Sequence, residues 1–142
     1  MTATLPEPTK VTTATRLPAA AIAATRVVVA FLFACHGAQK LFGFFGGVDG
    51  AGGTVDFPTW PGYWAAIIEL VAGLLVGLGL FTRVAALLCS GAMAYAYFVV
   101  HQPIALLPIA NNGELAALFS WIFLLIAVLG PGALAVDNLR RR

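Results

Sequence analysis

Charged residues are scarce in this 142-residue chain, which has eight Lys and Arg, six Asp and Glu, and two His, so that 10% of it is charged. A soluble domain is about one-quarter charged, and this composition excludes that class. The two cysteines, Cys35 and Cys89, form no C-x-x-C motif, and no H-E-x-x-H or nucleophile-elbow pattern occurs. The basic residues are not interleaved with aromatic ones as on a nucleic-acid-binding surface. We therefore expect no metal site and no nucleic-acid partner.

Long apolar runs dominate the sequence instead. Hydrophobic residues make up 61% of the chain, and the mean hydropathy is +0.93. A helix needs about 20 residues to cross the hydrocarbon of a membrane. We therefore predict an all-α fold, a four-transmembrane-helix antiparallel bundle. Residues 1–18 are predicted to form a disordered cytoplasmic tail and residues 19–142 the membrane domain, with spans at about 19–45, 60–80, 84–100 and 115–134.

The basic residues are distributed unevenly about these spans. With four crossings, seven of the eight fall on one side of the membrane, and Lys40 alone falls towards the other. Cytoplasmic loops are enriched in Lys and Arg, so both termini are expected in the cytoplasm. Arg26, Arg83 and Asp137 would lie on that side, where we predict that they form a structural charge network.

The first apolar run also has features of a signal peptide. Leu32-Phe33-Ala34-Cys35 is similar to a lipoprotein cleavage site. However, Phe33 is bulky where such sites have a small residue, and three further apolar runs follow. We therefore expect the first span to be retained.

Glu69 interrupts the apolar second span. An acidic residue inside a membrane costs about 2.5–3.5 kcal/mol on insertion scales, so a partner is expected. A rise of about 1.5 Å per residue places His36 at a matching depth and Lys40 one turn shallower. Either residue can pair with Glu69. Gly73 and Gly77 follow Glu69 at four-residue spacing and are predicted to pack closely against a neighbouring helix.

Further polar residues extend this pair into a candidate ligand pocket in the outer half of the bundle. Tyr97 and His101 share one stripe of the third span. An apolar cavity with a few convergent polar groups is typical of a small-molecule site. The candidate ligand-binding residues are His36, Lys40, Glu69, Tyr97 and His101, and the sequence identifies no catalytic residue.

Three alternatives stay open at these positions. The pair at Glu69 can be a purely structural ion pair that fixes helix register. His36 and His101 can ligate haem. Cys35, beside His36, can be an activated thiolate if water reaches it, or an inert buried thiol. Because Cys35 and Cys89 lie at different depths, no disulfide between them is expected.

Several short patterns, in their order and spacing, resemble the DoxX family of small four-helix bacterial membrane proteins. They are Arg26 with Gly37-Ala38-Gln39-Lys40, then Glu69 with Gly73, Gly77, Gly79 and Thr82-Arg83, then Asn112-Gly113-Glu114, and finally Gly130-Pro131-Gly132 with Asp137. The resemblance covers nearly the whole chain after the tail. Ala135 departs from it, since a serine is expected there.

The resemblance implies a multi-pass protein of the bacterial inner membrane, surrounded by lipid and partnered by other membrane or redox-defence proteins. It also implies a link to thiosulfate:quinone oxidoreductases, whether or not this chain is itself an enzyme. We therefore expect a quinone-linked redox subunit, in which Lys40 and His36 bond a quinone carbonyl and Glu69 exchanges a proton. The alternative is a non-catalytic accessory or scaffold subunit. A transporter is disfavoured, because the sequence has no inverted repeat.

Overall fold

The structure is a computed structural model that describes residues 13–140; the predicted tail up to residue 12 and the last two arginines lie outside the described residues. Helices account for nearly all regular structure in this range. They are α1 (Thr13–Phe42), α2 (Gly62–Leu78), α3 (Thr82–His101), α4 (Glu114–Leu129) and the short α5 (Val136–Leu139). Residues 13–140 contain no β-strand beyond an isolated bridge between Gly47 and Gly53. The predicted all-α class is therefore confirmed.

Two of the helices are long and apolar enough to cross a membrane, one over the 26 residues Leu17–Phe42 of α1 and one over the 20 residues of α3. Helices α2 and α4 are apolar but shorter. Large apolar side chains cover the outside of the molecule, among them Phe31, Leu74, Leu87 and Trp121. A continuous apolar exterior of this kind is typical of a protein in contact with lipid.

The helix ends differ from the predicted spans at three points. Residues 13–18, predicted as disordered tail, belong to α1, which continues through Pro18. Helix α1 ends at Phe42, because Gly43 takes a left-handed conformation with φ of 71°. Helix α4 ends at Leu129 and not at residue 134, because Gly130 has φ of 92° and turns the chain away. The fourth predicted span was therefore too long.

Two helices contain π-helical turns, in which hydrogen bonds join residues five apart and the helix locally widens. One turn, Ile68–Ala72, lies in the middle of α2 and includes Glu69. The other, Ala96–His101, forms the last turn of α3.

Helices α1 and α2 are antiparallel and approach closely. A Cβ atom on Gly37 would lie 2.5 Å from the Leu70 backbone nitrogen, and one on Gly73 would lie 3.3 Å from the Phe33 ring. Gly77 lies further along α2, against Ala30 of α1. The contacts thus run backwards along α1 as they run forwards along α2. Gly73 and Gly77 lie in this interface, and the closest approach between the two helices is at Gly37.

Helices α3 and α4 form a second antiparallel pair. The Ser90 hydroxyl donates to the Ser120 carbonyl over 2.9 Å, and the Ser120 hydroxyl donates back to the Ser90 carbonyl over 3.1 Å. The aromatic rings of Phe33, Phe119 and Phe123 join this pair to α1, with centroids 5.2 Å and 4.7 Å from Phe33. The core therefore lies between two helical hairpins.

Candidate functional site

Glu69 and Lys40 form an ion pair between α2 and α1. Lys40 Nζ lies 2.6 Å from Glu69 Oε1, and the side chain of Glu69 is 2% exposed. The depth count along the two helices left both His36 and Lys40 within reach of Glu69, with His36 at the matching depth and Lys40 one turn shallower. Of the two partners expected for Glu69, Lys40 makes the contact.

The second carboxylate oxygen of Glu69 has no such partner. Glu69 Oε2 is buried and accepts no hydrogen bond from any residue in the range 13–140. A buried acceptor without a donor costs about 1–3 kcal/mol, and more when it is charged. The site is therefore one donor short within the described chain.

A cavity of about 340 Å³ adjoins the pair, and we call it the Glu69 cavity. All four long helices contribute to its walls. The polar lining residues are His36, Lys40, Glu69, His101 and Asn112, and the apolar and aromatic walls include Phe33, Ala65, Met93, Tyr95, Val100 and Phe119. Ligand pockets measure about 300–1,000 Å³ and combine apolar walls with a few polar groups. The Glu69 cavity has the size and composition of a small-molecule site.

His101 lines the cavity with one ring nitrogen already engaged. Its Nδ1 lies 3.1 Å from the Asn111 carbonyl oxygen. A carbonyl only accepts hydrogen bonds, so Nδ1 carries a proton in this contact. Nothing in the described chain donates to Nε2.

Asn111 holds the loop that makes this contact. Its side chain is fully buried, donates from Nδ2 to the Ala105 carbonyl over 2.8 Å, and accepts from the Gly113 amide over 2.8 Å. A Cβ on Gly113 would come within 2.6 Å of the Asn111 amide oxygen. Asn111 therefore fixes the ring of His101 through the backbone. Nothing in the sequence identified Asn111 as the anchor of this loop.

Tyr97, a predicted ligand-binding residue, is not among the residues that line the cavity. Its hydroxyl lies 3.4 Å from the Leu106 carbonyl. Tyr95 lines the cavity instead and accepts a hydrogen bond from Trp60 Nε1 over 3.1 Å. The prediction assumed three to four residues per turn throughout α3. The π turn from Ala96 to His101 alters that count.

His36 lies at the cavity wall, and both cysteines have free thiols. His36 lines the cavity, with its ring edge-on to Phe119 at 6.0 Å between centroids. Cys35 is half-buried and Cys89 buried, and both thiols are free. No group of three or more His, Cys, Asp or Glu residues within 13–140 is arranged to hold a metal ion. His36 and His101 line the same cavity, so both are available to one ligand.

Arg26 lies near the opposite end of the bundle and is 1% exposed. Its guanidinium donates to five backbone carbonyls, two from the end of α2 and three from the segment after α4. The shortest bonds are from Nη1 to Gly77 at 2.5 Å and to Val76 at 2.7 Å, and from Nε to Pro131 at 2.9 Å. Longer ones reach Leu134 and Ala133. Arg26 thereby joins three segments that are distant in sequence.

Arg83 and Asp137 also bond to the backbone. Arg83 Nη1 donates to the carbonyls of Ala127 and Val128 at the end of α4. Asp137 accepts from the Phe81 and Thr82 amides, at 2.9 Å each, and thus caps α3. Burial raises the pKa of Asp137, but these bonds, together with the Thr82 hydroxyl and Arg140, outweigh it and lower the pKa overall.

The predicted charge network of Arg26, Arg83 and Asp137 thus consists of separate contacts at helix ends. No two of the three form a direct ion pair in the described structure.

Comparison with known proteins gives one family and two relatives. The DoxX family model matches residues 14–102, which include Lys40, Glu69 and His101. A protein of Haemophilus influenzae described as "Uncharacterized protein" is 44% identical over 120 residues, covering 82% of this chain and 88% of the relative. "Putative oxidoreductase CatD" of Bacillus subtilis is 30% identical over 112 residues, covering 79% and 81%. No solved structure matches the chain significantly.

Proposed function

We propose that this chain, which belongs to the DoxX family of membrane proteins, is a redox-linked membrane subunit that binds a quinone-type ligand in the Glu69 cavity. The observation that carries the proposal is the buried carboxylate of Glu69 at the wall of an apolar cavity, with one oxygen paired and one unpaired. Ionisable residues inside membrane proteins commonly mark functional sites. A purely structural ion pair would not need the adjoining cavity.

The lining residues supply the groups that a quinone head group requires. Lys40 uses one N–H bond on Glu69, and its ammonium group has further N–H bonds for a ligand oxygen. His36 adds a second polar group on the same helix. Glu69 is placed to take or give a proton at that oxygen, while the apolar walls accommodate the ring. The name of the Bacillus subtilis relative supports a redox role for this chain.

The proposal includes a topology. We infer that residues 19–142 form one membrane domain, that α1 to α4 each cross a bacterial inner membrane, and that both termini are cytoplasmic. The antiparallel order of the helices supports four crossings. The position of Arg26, Arg83 and Arg140 at the end opposite Lys40 supports this orientation. The Glu69 cavity then opens towards the outer side.

Equilibrium titration of the purified full-length protein with a short-chain quinone analogue tests the binding proposal. We expect saturable binding that Glu69→Gln and Lys40→Met each abolish. Glu114→Gln is the matched control, because Glu114 is an exposed carboxylate that does not line the cavity. Ala65→Leu narrows the cavity without touching the ion pair and should also abolish binding. Folded wild-type protein that binds no quinone, or binding unchanged in Glu69→Gln, Lys40→Met and Ala65→Leu, would favour the accessory-subunit alternative.

A further inference from the structure

We propose that an open pocket at the end of the bundle opposite the Glu69 cavity binds the anionic headgroup of a membrane phospholipid. The pocket has a volume of about 300 Å³ and lies where α3 begins, α4 ends and α5 approaches both. We call it the Arg83 pocket. The inference goes beyond the proposed function and rests only on its topology, in which this end of the bundle lies at a membrane surface.

Two arginines line the Arg83 pocket, and neither has a carboxylate partner within the described chain. Arg83 is exposed, and within residues 13–140 only its Nη1 donates hydrogen bonds, to the carbonyls of Ala127 and Val128. Arg140 is also exposed, and its guanidinium carbon lies 5.1 Å from the centre of the Phe81 ring. A guanidinium has five N–H donors. Both arginines therefore retain N–H bonds for an anion.

Asp137 is the one carboxylate among the described residues that line the pocket, and both of its oxygens are engaged. Oδ1 accepts from the Phe81 amide, and Oδ2 accepts from the amide and the hydroxyl of Thr82. The two arginines and Asp137 leave the pocket with one net positive charge. A pocket of this volume is roughly as wide as the Debye length at physiological ionic strength, about 8 Å. Both arginines therefore act on an anion that enters it.

The surface around the pocket is apolar, which favours a lipid over a soluble anion. Phe81 and Val84 at its wall are more than half exposed, as are Leu134 and Leu139 in the segment after α4. A free phosphate ion would pair with the arginines and leave these side chains unmatched. A phospholipid carries a phosphate and hydrocarbon chains in one molecule. Basic pockets between transmembrane helices at the cytoplasmic surface commonly bind anionic lipid headgroups.

The charge of the site sets the size of the expected effect. An arginine near an anionic lipid surface strengthens binding by about fivefold. We therefore expect the two arginines together to favour an anionic lipid over an uncharged one by roughly 25-fold. Removing either arginine should lower this preference by about fivefold.

The test uses the full-length protein in a mild detergent and two synthetic lipids with identical acyl chains. Phosphatidylglycerol has a net negative charge, whereas phosphatidylcholine has none. Native mass spectrometry measures the fraction of protein that carries each lipid as its concentration rises. Glycerol phosphate serves as a soluble competitor, because it presents a phosphate without acyl chains. We expect phosphatidylglycerol to bind preferentially, and an equal concentration of glycerol phosphate to leave it bound.

Two variants attribute the preference to the pocket. Arg140→Gln removes one charge from a residue that contacts the Phe81 ring and forms no ion pair within residues 13–140, so the variant should fold. It carries the test alone if Arg83→Gln does not fold. The matched control is the double change Arg141→Gln with Arg142→Gln, which removes two charges from outside the described residues. This control should retain most of the preference for phosphatidylglycerol.

Three results would overturn the inference. The first is equal affinity of the wild type for the two lipids. The second is a control variant that loses as much preference as Arg140→Gln, since binding would then follow net charge and not the pocket. The third is displacement of the lipid by glycerol phosphate, which would assign the pocket to a soluble phosphate. Neither Arg83 nor Arg140 lines the Glu69 cavity, so each of these results leaves the quinone proposal standing, and a failed quinone titration leaves the lipid site standing.

Discussion

Lys40 and Glu69 are bonded to each other at 2.6 Å, but the side chain of Lys40 is 32% exposed and that of Glu69 is 2% exposed. The lysine lies where its charge can reach water, while the carboxylate depends on the lysine for a partner. Removing one partner therefore has different consequences for the two residues.

Lys40→Met should destabilise the protein more than Glu69→Leu. The first change leaves a buried carboxylate without a cation, which costs on the order of 3 kcal/mol. The second leaves a lysine that can turn to water, so its cost should be smaller. The double variant should recover much of the loss, since buried pairs are often replaceable by apolar residues. The free energies of unfolding of the two single variants and the double variant can be measured in detergent, with circular dichroism as the probe of unfolding. A double variant no more stable than Lys40→Met would point to His36 as the energetic partner.

Gly37→Ala should weaken the packing of α1 on α2. The added Cβ would lie 2.5 Å from the Leu70 nitrogen and 2.8 Å from the Ala66 oxygen, and backbone atoms cannot move aside cheaply. Overpacking of this kind costs about 1–3 kcal/mol. The control is Gly91→Ala in α3, where a Cβ would meet nothing within 4 Å. That change should stabilise α3 by about 0.5–1 kcal/mol through helix propensity. Equal unfolding midpoints for the two variants would contradict the close approach.

Arg26→Lys should destabilise the protein by about 3 kcal/mol or more, because an ammonium group cannot reproduce bonds to carbonyls on both sides of a planar guanidinium. Because the positive charge is retained in Arg26→Lys, any loss of stability reflects the lost hydrogen-bond geometry of the guanidinium. Arg83→Lys is the matched comparison, since Arg83 bonds two carbonyls from an exposed position and should lose less. Folded yield and the unfolding midpoint both measure the difference. A similar small loss in the two variants would show that the five carbonyls do not depend on Arg26.

Asp137 should make stability depend on pH at the acidic end. Its pKa in the folded protein is lowered, so its contribution is fully present above the unfolded value of about 3.9. That contribution is lost as the pH falls through the lower folded value. At neutral pH, Asp137→Asn should be less stable than the wild type, because it weakens the cap of α3. Unfolding midpoints measured from pH 7 down to pH 3 should converge below about pH 4. A constant difference would mean that ionisation of Asp137 is not involved.

The orientation can be tested with fused reporters. A reporter at Arg142 should behave as cytoplasmic, and one inserted at Gly50 should behave as external. Gly50 suits the insertion because no atom lies within 4 Å of its missing Cβ. Reversed behaviour of the two reporters would invert the orientation and place the Glu69 cavity on the cytoplasmic side.

The sequence allowed the helices to be predicted, because apolar runs of sufficient length predict helices. A fixed rise per residue placed His36 at the depth of Glu69 and Lys40 one turn shallower, so it brought both candidate partners near Glu69 without selecting Lys40. Tyr97 lies within the π turn that ends α3, and a regular helical count does not anticipate the wider spacing of such a turn. Helix α4 ends at Leu129, before Gly130-Pro131-Gly132, whereas the fourth span was predicted to continue to about residue 134. The backbone at Gly130 ends the helix there.

The partners of Arg26 were also beyond prediction. A basic residue near the start of an apolar run normally indicates orientation, and its surroundings depend on the path of a loop. Three of its five carbonyls come from the segment after α4, more than one hundred residues later. No periodicity within a helix predicts such a contact. The same limit applies to Asn111, whose bonds lie within an irregular loop.

The distance along the chain between Arg26 and its partners has a consequence for biosynthesis. The ribosome completes α1 long before it reaches Pro131, which accepts the bond from Arg26 Nε. Of the five carbonyls that accept hydrogen bonds from Arg26 in the folded protein, the nascent first hairpin contains only those of Val76 and Gly77. The remaining bonds form when the last segment of the chain emerges. The full set of bonds from Arg26 therefore forms only after the last segment of the chain has been synthesised.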